Sequence, residues 1–552
     1  MTLDDILDPE LERLLGTAAP ALREWGAARR LGWLLDRRLT EGKSGAVVAF
    51  VFERDRLAGA TKLLMKMDSY PDVALNLGEF ARHRDALDEA PEVFARRHLA
   101  ELAPAGHDLV RVGDGRWIMF QRVAAPPPDE GDETAELHDL DVLSKVLASV
   151  SAGRPVPTTG TSTEEPVLCA PDVFVRFCGH LTRTVLDDWA GQPDVEPMTA
   201  ARYLREHLLQ RMADGLPLNT IAQRLEHDWL VVGDNREVLP NPFTLMADDG
   251  PGAALSVKAL LGRAHGDLHT GNVLVPITAF TETAPFRLID LAKYSSRAPL
   301  ARDPAGLLLT IVVRVLRFLD ESQREAVGNL LLEQEENSRD APPWLVELVA
   351  GLRGECERWA RRRVGLSLAA DWRPQWRLSL IGFALILLGR RSTRTADRLW
   401  LLQFAGRATR AALSPARLPR RTAVTEVLPE LLVTSAPGGS RDGDESWVEW
   451  LCEYWPRLSR KVSDQGGRGR LDELGEAARR GEDRCDEFLA LVRQVDGKAF
   501  ATRDGEHADV PVDEVFTCPL PEHRCARVVR PHPADDRPRC ALHRGAMRHE
   551  FW

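Results

Sequence analysis

A short polar segment, residues 264–291, carries side chains whose types and spacing suit the transfer of a phosphoryl group. His265, Asp267 and Asn272 stand close together before an apolar run, and a second, mostly apolar run ends in Asp290. The pattern predicts a loop, a strand, a turn and a second strand that ends in an acid. Phosphoryl transfer needs mainly positioning and neutralisation of charge. A few groups could therefore support the reaction: one carboxylate beside an acceptor hydroxyl, and an amide and a second carboxylate that bind magnesium.

The segment HGDLHTGN, followed by LID, resembles the catalytic loop and metal-binding acid of the aminoglycoside phosphotransferase and choline kinase branch of the protein-kinase-like fold. The five-residue step from Asp267 to Asn272 is also that of the protein-kinase motif H-R-D-x-x-x-x-N. The resemblance implies that Asp267 is the catalytic base, that Asn272 and Asp290 hold Mg²⁺, and that His265 supports the loop. It also places Asp303 at the start of a core helix. The alternative is a polar hairpin with a chance histidine.

Upstream, the pattern from residue 33 onward is strand, glycine turn, strand. Gly42 and Gly45 lie in the turn, where backbone amides could approach phosphate groups closely. The turn is not a Walker A loop, because Arg37 stands where that motif needs a glycine. The resemblance implies instead that this hairpin covers the bound nucleotide.

The next predicted strand, residues 60–68, carries two lysines on one face. We assign Lys66 to the α- and β-phosphates of ATP, as the resemblance implies. Lys62 remains an alternative, because side chains four residues apart on a strand share a face.

A helix is predicted at 75–87, and the resemblance implies that Glu79 near its start pairs with the strand lysine. Glu89 and Glu92 are alternatives for that role. Residues 117–123 are predicted to form a strand, and the resemblance implies that this strand leads to the backbone that binds adenine, with residues 120–122 as the candidates.

Length and composition predict a soluble protein of two or three domains. The formal net charge of −11 argues against nucleic acid as a partner. The N-terminal segment has neither the basic start nor the apolar core of a signal peptide, and the apolar runs are short or interrupted by arginine. We therefore expect a cytoplasmic protein without membrane segments.

The predicted fold class is α+β: a two-lobed protein-kinase-like fold with small C-terminal helical and zinc-ribbon-like modules. In the resembling family, helices inserted before the catalytic loop shape the acceptor pocket, but no substrate motif is present here. The predicted parts are a helical lead-in (1–30), an N-lobe (31–125), a linker (126–136), a C-lobe with a helical insertion (137–413), a linker (414–445), a helical module (446–500) and a zinc-ribbon-like tail (510–552).

The C-terminal tail has a second pattern with chemical meaning. Cys518, Cys525, Cys540 and His543 follow the spacing C-x6-C-x14-C-x2-H in a stretch too short to form its own apolar core. Three thiolates and an imidazole suit a closed, tetrahedral structural Zn²⁺ site. Incidental thiols in a tail are the alternative interpretation. Other histidines could also serve as ligands: His523, His532 and His549.

Together these features predict an ATP- and Mg²⁺-dependent phosphotransferase that acts on a hydroxyl of a small molecule or a protein. HGDLHTGN has no lysine two residues after Asp267, which favours the small-molecule branch. The alternative is a weak or inactive kinase-like scaffold in a regulatory or defence system, with protein partners bound through the C-terminal modules. The retained Asp267, Asn272 and Asp290 favour catalysis. The net acidity disfavours a third possibility, a zinc-dependent nucleic-acid binder.

Overall fold

The computed structural model describes most of the chain up to residue 432 and short segments beyond it. The turn with Gly42 and Gly45 lies outside the described residues, and so do the predicted zinc ligands Cys518, Cys525, Cys540 and His543. The described residues are 6–39, 47–55, 59–67, 78–102, 109–112, 116–122, 140–152, 169–208, 211–213, 216–233, 235–277, 280–390, 392–419, 423–427, 429–432, 468–479, 484, 487, 514–517 and 548–551.

The described chain contains both helices and strands. The α-helices are α1 (Pro9–Leu15), α2 (Ala19–Arg29), α3 (Gly78–Glu89), α4 (Glu92–His98), α5 (Leu143–Ala152), α6 (Pro171–Thr184), α7 (Ala200–Leu208), α8 (Pro217–Arg224), α9 (Arg302–Val315), α10 (Glu321–Leu331), α11 (Pro343–Val364), α12 (Leu366–Ala369), α13 (Trp372–Leu388), α14 (Thr395–Ala412) and α15 (Arg468–Arg479). The strands are β1 (Leu31–Leu39), β2 (Val47–Asp55), β3 (Gly59–Met67), β4 (Glu101–Leu102), β5 (Val110–Arg111), β6 (Trp117–Arg122), β7 (Leu140–Val142), β8 (Asp194–Thr199), β9 (Trp229–Val232), β10 (Glu237–Pro240), β11 (Ser256–Ala264), β12 (Val273–Pro276), β13 (Arg287–Leu288), β14 (Ser295–Pro299), β15 (Thr425–Glu426), β16 (Glu514–Thr517) and β17 (Arg548–Phe551).

The chain forms two compact units, and the α+β class predicted from the sequence is confirmed. The first unit comprises Met1–His207, Leu245–Phe383 and Ala411–Leu413. The second comprises Leu208–Thr244, Ala384–Arg410 and Ser414–Trp552. All the candidate catalytic residues belong to the first unit. None of the described helices is both long and apolar enough to cross a membrane.

The N-terminal part of the first unit is built on an antiparallel sheet with the strand order β1-β2-β3-β6-β4, and β5 also pairs with β6. In the register of β3 and β6, Leu64 lies opposite Gln121 and Lys66 opposite Met119. Because side chains alternate along a strand, Leu64 and Lys66 share one face, and Leu63 and Met65 share the other.

Helices α1 and α2 cover the face of this sheet that carries Leu63 and Met65. Asp8 caps α1 by accepting hydrogen bonds from the Glu10 and Leu11 amides at 2.7 and 3.1 Å. The described part of the predicted lead-in, residues 6–30, therefore contributes to the core under the first sheet. This core includes an aromatic stack, in which the ring centroids of Trp33 and Phe120 lie 5.4 Å apart.

The opposite face of the sheet packs against the strands that hold the candidate site. Phe50 and Leu64 form one cluster with Leu274 of β12, Ile289 after β13 and Val142 of β7. The order in that small sheet is β13-β12-β7. The sheet that carries Lys66 and the strands that flank Asn272 therefore share one apolar core.

The helical part of the first unit surrounds α9, whose side chains from Asp303 to Val312 are all buried. It includes strands as well as helices, because β8, β11 and β14 form a sheet in the order β14-β11-β8. Gln375 of α13 extends the bonding of β11: its amide accepts from Leu260 N and donates to Lys258 O, both at 2.8 Å. The strand that leads into the catalytic segment is thus fixed from the side.

The second unit contains a sheet with the order β10-β9-β15 and the helices α8, α14 and α15. Arg398 of α14 is buried and donates hydrogen bonds to the carbonyls of Leu432 and Arg390, each at 2.9 Å. In the tail, β16 and β17 pair antiparallel, with Thr517 opposite Arg548. The zinc ligands predicted between these two strands stay a prediction.

Candidate active site

The loop after β11 is held in shape by its own backbone and by His265. The His265 ring is fully buried; its Nε2 donates to Ile289 O at 2.9 Å, and its Nδ1 accepts from the Asp267 amide at 3.3 Å. These two bonds assign the proton to Nε2. Gly266 has a φ of 81°, and a Cβ on it would lie 2.1 Å from the carbonyl oxygen of Lys293. Only glycine fits this turn without displacing the neighbouring segment.

Asp303 anchors the same loop from the first turn of α9. Its carboxylate accepts from the amides of His265 at 2.6 Å and Gly266 at 2.9 Å, and its side chain is buried. Burial raises the pKa of this carboxyl, although His265, Arg302 and the two amides favour the charged form. The sequence places Asp303 at the start of a core helix, and α9 begins at Arg302.

The second half of the loop brings Asn272 back onto Asp267. Asn272 Nδ2 donates to the backbone carbonyl of Asp267 at 2.9 Å, so the amide oxygen is the end that is left to act as a ligand. His269 accepts from the Gly271 amide at 3.0 Å and caps the 3₁₀ turn Thr270–Asn272. The Asp267 side chain itself is half-buried.

Asp290 follows β13 in a left-handed backbone conformation, with φ 60° and ψ 58°. The neighbouring Ile289 amide donates to Asn272 O at 3.1 Å, and Val273 pairs with Leu288. These backbone bonds place the two predicted metal ligands, Asn272 and Asp290, at the ends of adjoining strands. An aspartate tolerates this conformation better than most residues, but its use here still indicates a position fixed by its surroundings.

Lys66 joins the sheet to both acids. Its Nζ lies 2.5 Å from Glu79 Oε2 and 3.0 Å from Asp290 Oδ1. Burial acts to lower the pKa of Lys66, but the charges of Asp290 and Glu79 outweigh burial and raise that pKa. Burial and the nearby charge of Asp267 act to raise the pKa of Asp290. The charge and hydrogen bond of Lys66 outweigh them, so that the pKa of Asp290 is lowered. Lys66 and Asp290 are therefore both charged at neutral pH.

The alternatives for these two roles lie elsewhere. Lys62 pairs at 2.9 Å with Asp36 of β1, and both side chains are about one quarter exposed. Glu89 accepts a hydrogen bond from the Tyr294 hydroxyl at 2.7 Å, and Glu92 is exposed. Of the candidate pairs, the structure brings Lys66 and Glu79 together.

Several residues around this site are not singled out by the sequence. Arg82, His83 and Tyr294 link α3 to its surroundings. Arg287 of β13 is buried and donates to the carbonyls of Arg96 and Leu99, each at 2.7 Å. The only available sequence signal is on α3, where residues three and four positions after Glu79 share its face.

The donor set suits a hard divalent cation. Within the described ranges, no cluster of three or more His, Cys, Asp or Glu residues is arranged to hold a metal ion. An amide oxygen from Asn272 and a carboxylate from Asp290 are nonetheless the oxygen ligands that Mg²⁺ prefers. Mg²⁺ typically takes only one or two protein carboxylates and completes its shell with water and phosphate oxygens.

Together the fold and the site define a class. An antiparallel sheet carries the lysine, the following helix carries its glutamate partner, and a loop followed by a strand hairpin supplies Asp267, Asn272 and Asp290. This arrangement is that of a protein-kinase-like fold.

Comparisons with solved structures give matches of low similarity. The chain is similar to an amicoumacin kinase in complex with AMP-PNP, Ca²⁺ and Ami, at 11% identity and a TM-score of 0.30, over 68% of this chain and 88% of that one. It is similar to a glucosamine kinase at 12% identity and a TM-score of 0.33, over 71% and 84%. It is also similar to an ethanolamine kinase of Plasmodium vivax at 8% identity and a TM-score of 0.25, over 74% and 86%. No family model and no curated protein matches the sequence.

Proposed function

We propose that this protein transfers a phosphoryl group from Mg·ATP to a hydroxyl group, of a small molecule in the first instance or of a protein. The position of Lys66 supports the proposal most directly. Its ammonium lies 2.5 Å from one carboxylate, that of Glu79, and 3.0 Å from a second, that of Asp290. One positive charge therefore lies beside the acid that we propose to hold the metal.

Each residue has a definite task under this proposal. Glu79 orients Lys66, which binds the phosphates of ATP. Asn272 and Asp290 hold Mg²⁺, which when bound would neutralise the charge on the phosphate oxygens. Asp267 accepts the proton of the acceptor hydroxyl, because its side chain is only half-buried in a loop fixed by Asp303.

Calorimetric titration of the full chain with Mg·ATP tests the nucleotide site, and the two lysines of β3 provide a matched pair. Lys66→Ala should weaken binding about tenfold or more, since it removes a charge-assisted contact to phosphate. Lys62→Ala should stay within about twofold, because a partly exposed ion pair contributes little. The opposite ranking would transfer the phosphate role to Lys62.

Two further variants separate metal binding from chemistry. Asp290→Asn keeps a residue that tolerates left-handed backbone and removes the charge, so the Mg²⁺ dependence of binding should be lost. Asp267→Asn should abolish transfer in an ATP-consumption screen of hydroxyl acceptors while leaving Mg·ATP binding within about twofold. Intact transfer in that variant would refute the assignment of Asp267 as the base. If the wild-type chain binds no Mg·ATP, the protein is a kinase-like scaffold instead.

A further inference from the structure

Helix α3 is held by side chains at several points along one face. Besides the contact of Glu79 with Lys66, Arg82 Nη1 donates to Tyr294 O at 3.1 Å, and Tyr294 in turn donates its hydroxyl to Glu89 Oε2 at 2.7 Å. The fully buried His83 lies 2.5 Å, Nε2 to oxygen, from the carbonyl of Ala100. Positions 79, 82, 83 and 89 follow helical spacing, so these contacts share a face.

Tyr294 is the residue that touches α3 twice, once through its backbone and once through its hydroxyl. Its amide donates to Leu291 O at 2.9 Å and closes the 3₁₀ turn Leu291–Lys293, which begins directly after Asp290. Its ring is buried and stacks on Trp189, with ring centroids 5.8 Å apart. Burial and the Glu89 carboxylate raise the pKa of the Tyr294 hydroxyl, which therefore stays a donor at neutral pH.

The same turn also touches the catalytic loop. The carbonyl of Lys293 approaches Gly266 so closely that a Cβ there would lie 2.1 Å away. The turn after Asp290 therefore contacts α3 on one side and the loop of Asp267 on the other.

We propose that Tyr294 and Glu89 are positioning residues for phosphoryl transfer. Their hydrogen bond fastens the end of α3 to the turn after Asp290, and so keeps Glu79 and Lys66 at a fixed distance from that acid. The inference rests on the proposed function, because it concerns the spacing of groups that bind Mg·ATP. Neither residue contacts the reacting atoms, and both act through α3 and the turn.

The first experiment compares Tyr294→Phe with a matched variant of another buried tyrosine. Tyr203 lies in α7 and is buried, and its hydroxyl is hydrogen-bonded within α13, to Ser379 Oγ at 2.8 Å and to Gln375 O at 3.3 Å. Both variants remove one hydroxyl and should lower Tm by similar amounts. Only Tyr294→Phe should lower kcat, and by about fivefold, which corresponds to the net free energy of one hydrogen bond. The KM for the acceptor should stay unchanged. Equal loss of kcat in both variants would reduce Tyr294 to a general stabilising role.

Variants of Glu89 test the same bond from its other end. Glu89→Gln keeps an acceptor for the hydroxyl and should retain kcat, whereas Glu89→Ala should match Tyr294→Phe. The double variant Tyr294→Phe/Glu89→Ala should be no slower than either single variant, because both remove one bond. Additive losses would overturn the inference.

Hydrogen exchange separates this inference from the proposed function, because it needs neither ATP nor an acceptor. Amides of residues 78–89 should exchange faster in Tyr294→Phe than in the wild type or in Tyr203→Phe. Unchanged exchange in α3 would overturn the inference even if the enzyme is active. Failure of the wild type to bind Mg·ATP would remove the proposed function, and with it the catalytic meaning of the contact.

Discussion

Replacing Gly266 by alanine tests the closest backbone approach at the site. The substitution meets two separate costs. A positive φ of 81° disfavours any side chain, at about 2 kcal/mol. The new Cβ would also lie 2.1 Å from Lys293 O, well inside ordinary contact, and overpacking of that kind costs about 2 kcal/mol more. The free energy of unfolding should therefore fall by about 4 kcal/mol in total.

A matched control separates these two costs. Gly365 also has a positive φ, of 80°, but no atom lies within 4 Å of the position of its Cβ. Gly365→Ala should therefore show the backbone cost alone, about half of the loss in Gly266→Ala. Urea unfolding of the full chain gives both values, and the m-value checks that the unfolded state is unchanged.

The clash also has a functional consequence that the control lacks. Relief of the contact must move the turn after Asp290 away from the catalytic loop. Gly266→Ala should therefore weaken Mg·ATP binding in calorimetry, while Gly365→Ala should bind as the wild type. Equal unfolding losses in the two variants, with intact binding in both, would refute the reasoning that this approach is rigid.

Two further substitutions have effects that follow from burial. Arg287→Met leaves the carbonyls of Arg96 and Leu99 without their buried donor and should cost about 3 kcal/mol in urea unfolding. His207 is buried, neither ring nitrogen has a hydrogen-bond partner among the described residues, and burial lowers its pKa well below 6.5. The unfolded chain therefore binds a proton there that the folded chain does not, so stability falls as pH drops below about 6.5. His207→Leu should remove that loss. At about pH 5 the free energy of unfolding of this variant should exceed that of the wild type by about 2 kcal/mol, as measured by urea unfolding at a series of pH values. An unchanged pH profile would mean that His207 is protonated in the folded state.

Two strands of the first sheet and α3 could be predicted from the sequence pattern. The predicted bounds of β3, β6 and α3 lie within about three residues of the observed ones, because a short apolar run marks each strand and apolar residues at helical spacing mark α3. The strands between residues 194 and 264 could not be found in this way. β9 and β10 have four residues each, and β11 is buried on both faces over most of its second half, which removes the alternation.

The residues of the candidate site also differ in whether the sequence could predict them. Asp267, Asn272 and Asp290 are close in sequence, so their types and spacing were enough to single them out. Tyr294 and Arg287 act through partners about two hundred residues away, and no local pattern reports such contacts. For the two strand lysines, the resemblance favoured Lys66, and the shared face of the strand kept Lys62 as an alternative. The ion pair of Lys66 with Glu79 of α3 separates them, because Lys62 pairs with Asp36 instead.

The cover that α1 and α2 give to the first sheet has a consequence for synthesis of the chain. These helices leave the ribosome before the strands that they cover, and their apolar side chains, such as Leu11, pack with Ile118 of β6, about a hundred residues later. The apolar face of these two helices therefore stays incompletely covered while β1, β2, β3 and α3 are synthesised. Over that interval the nascent chain offers a binding site for chaperones, and slower translation between residues 30 and 122 would prolong its risk of aggregation.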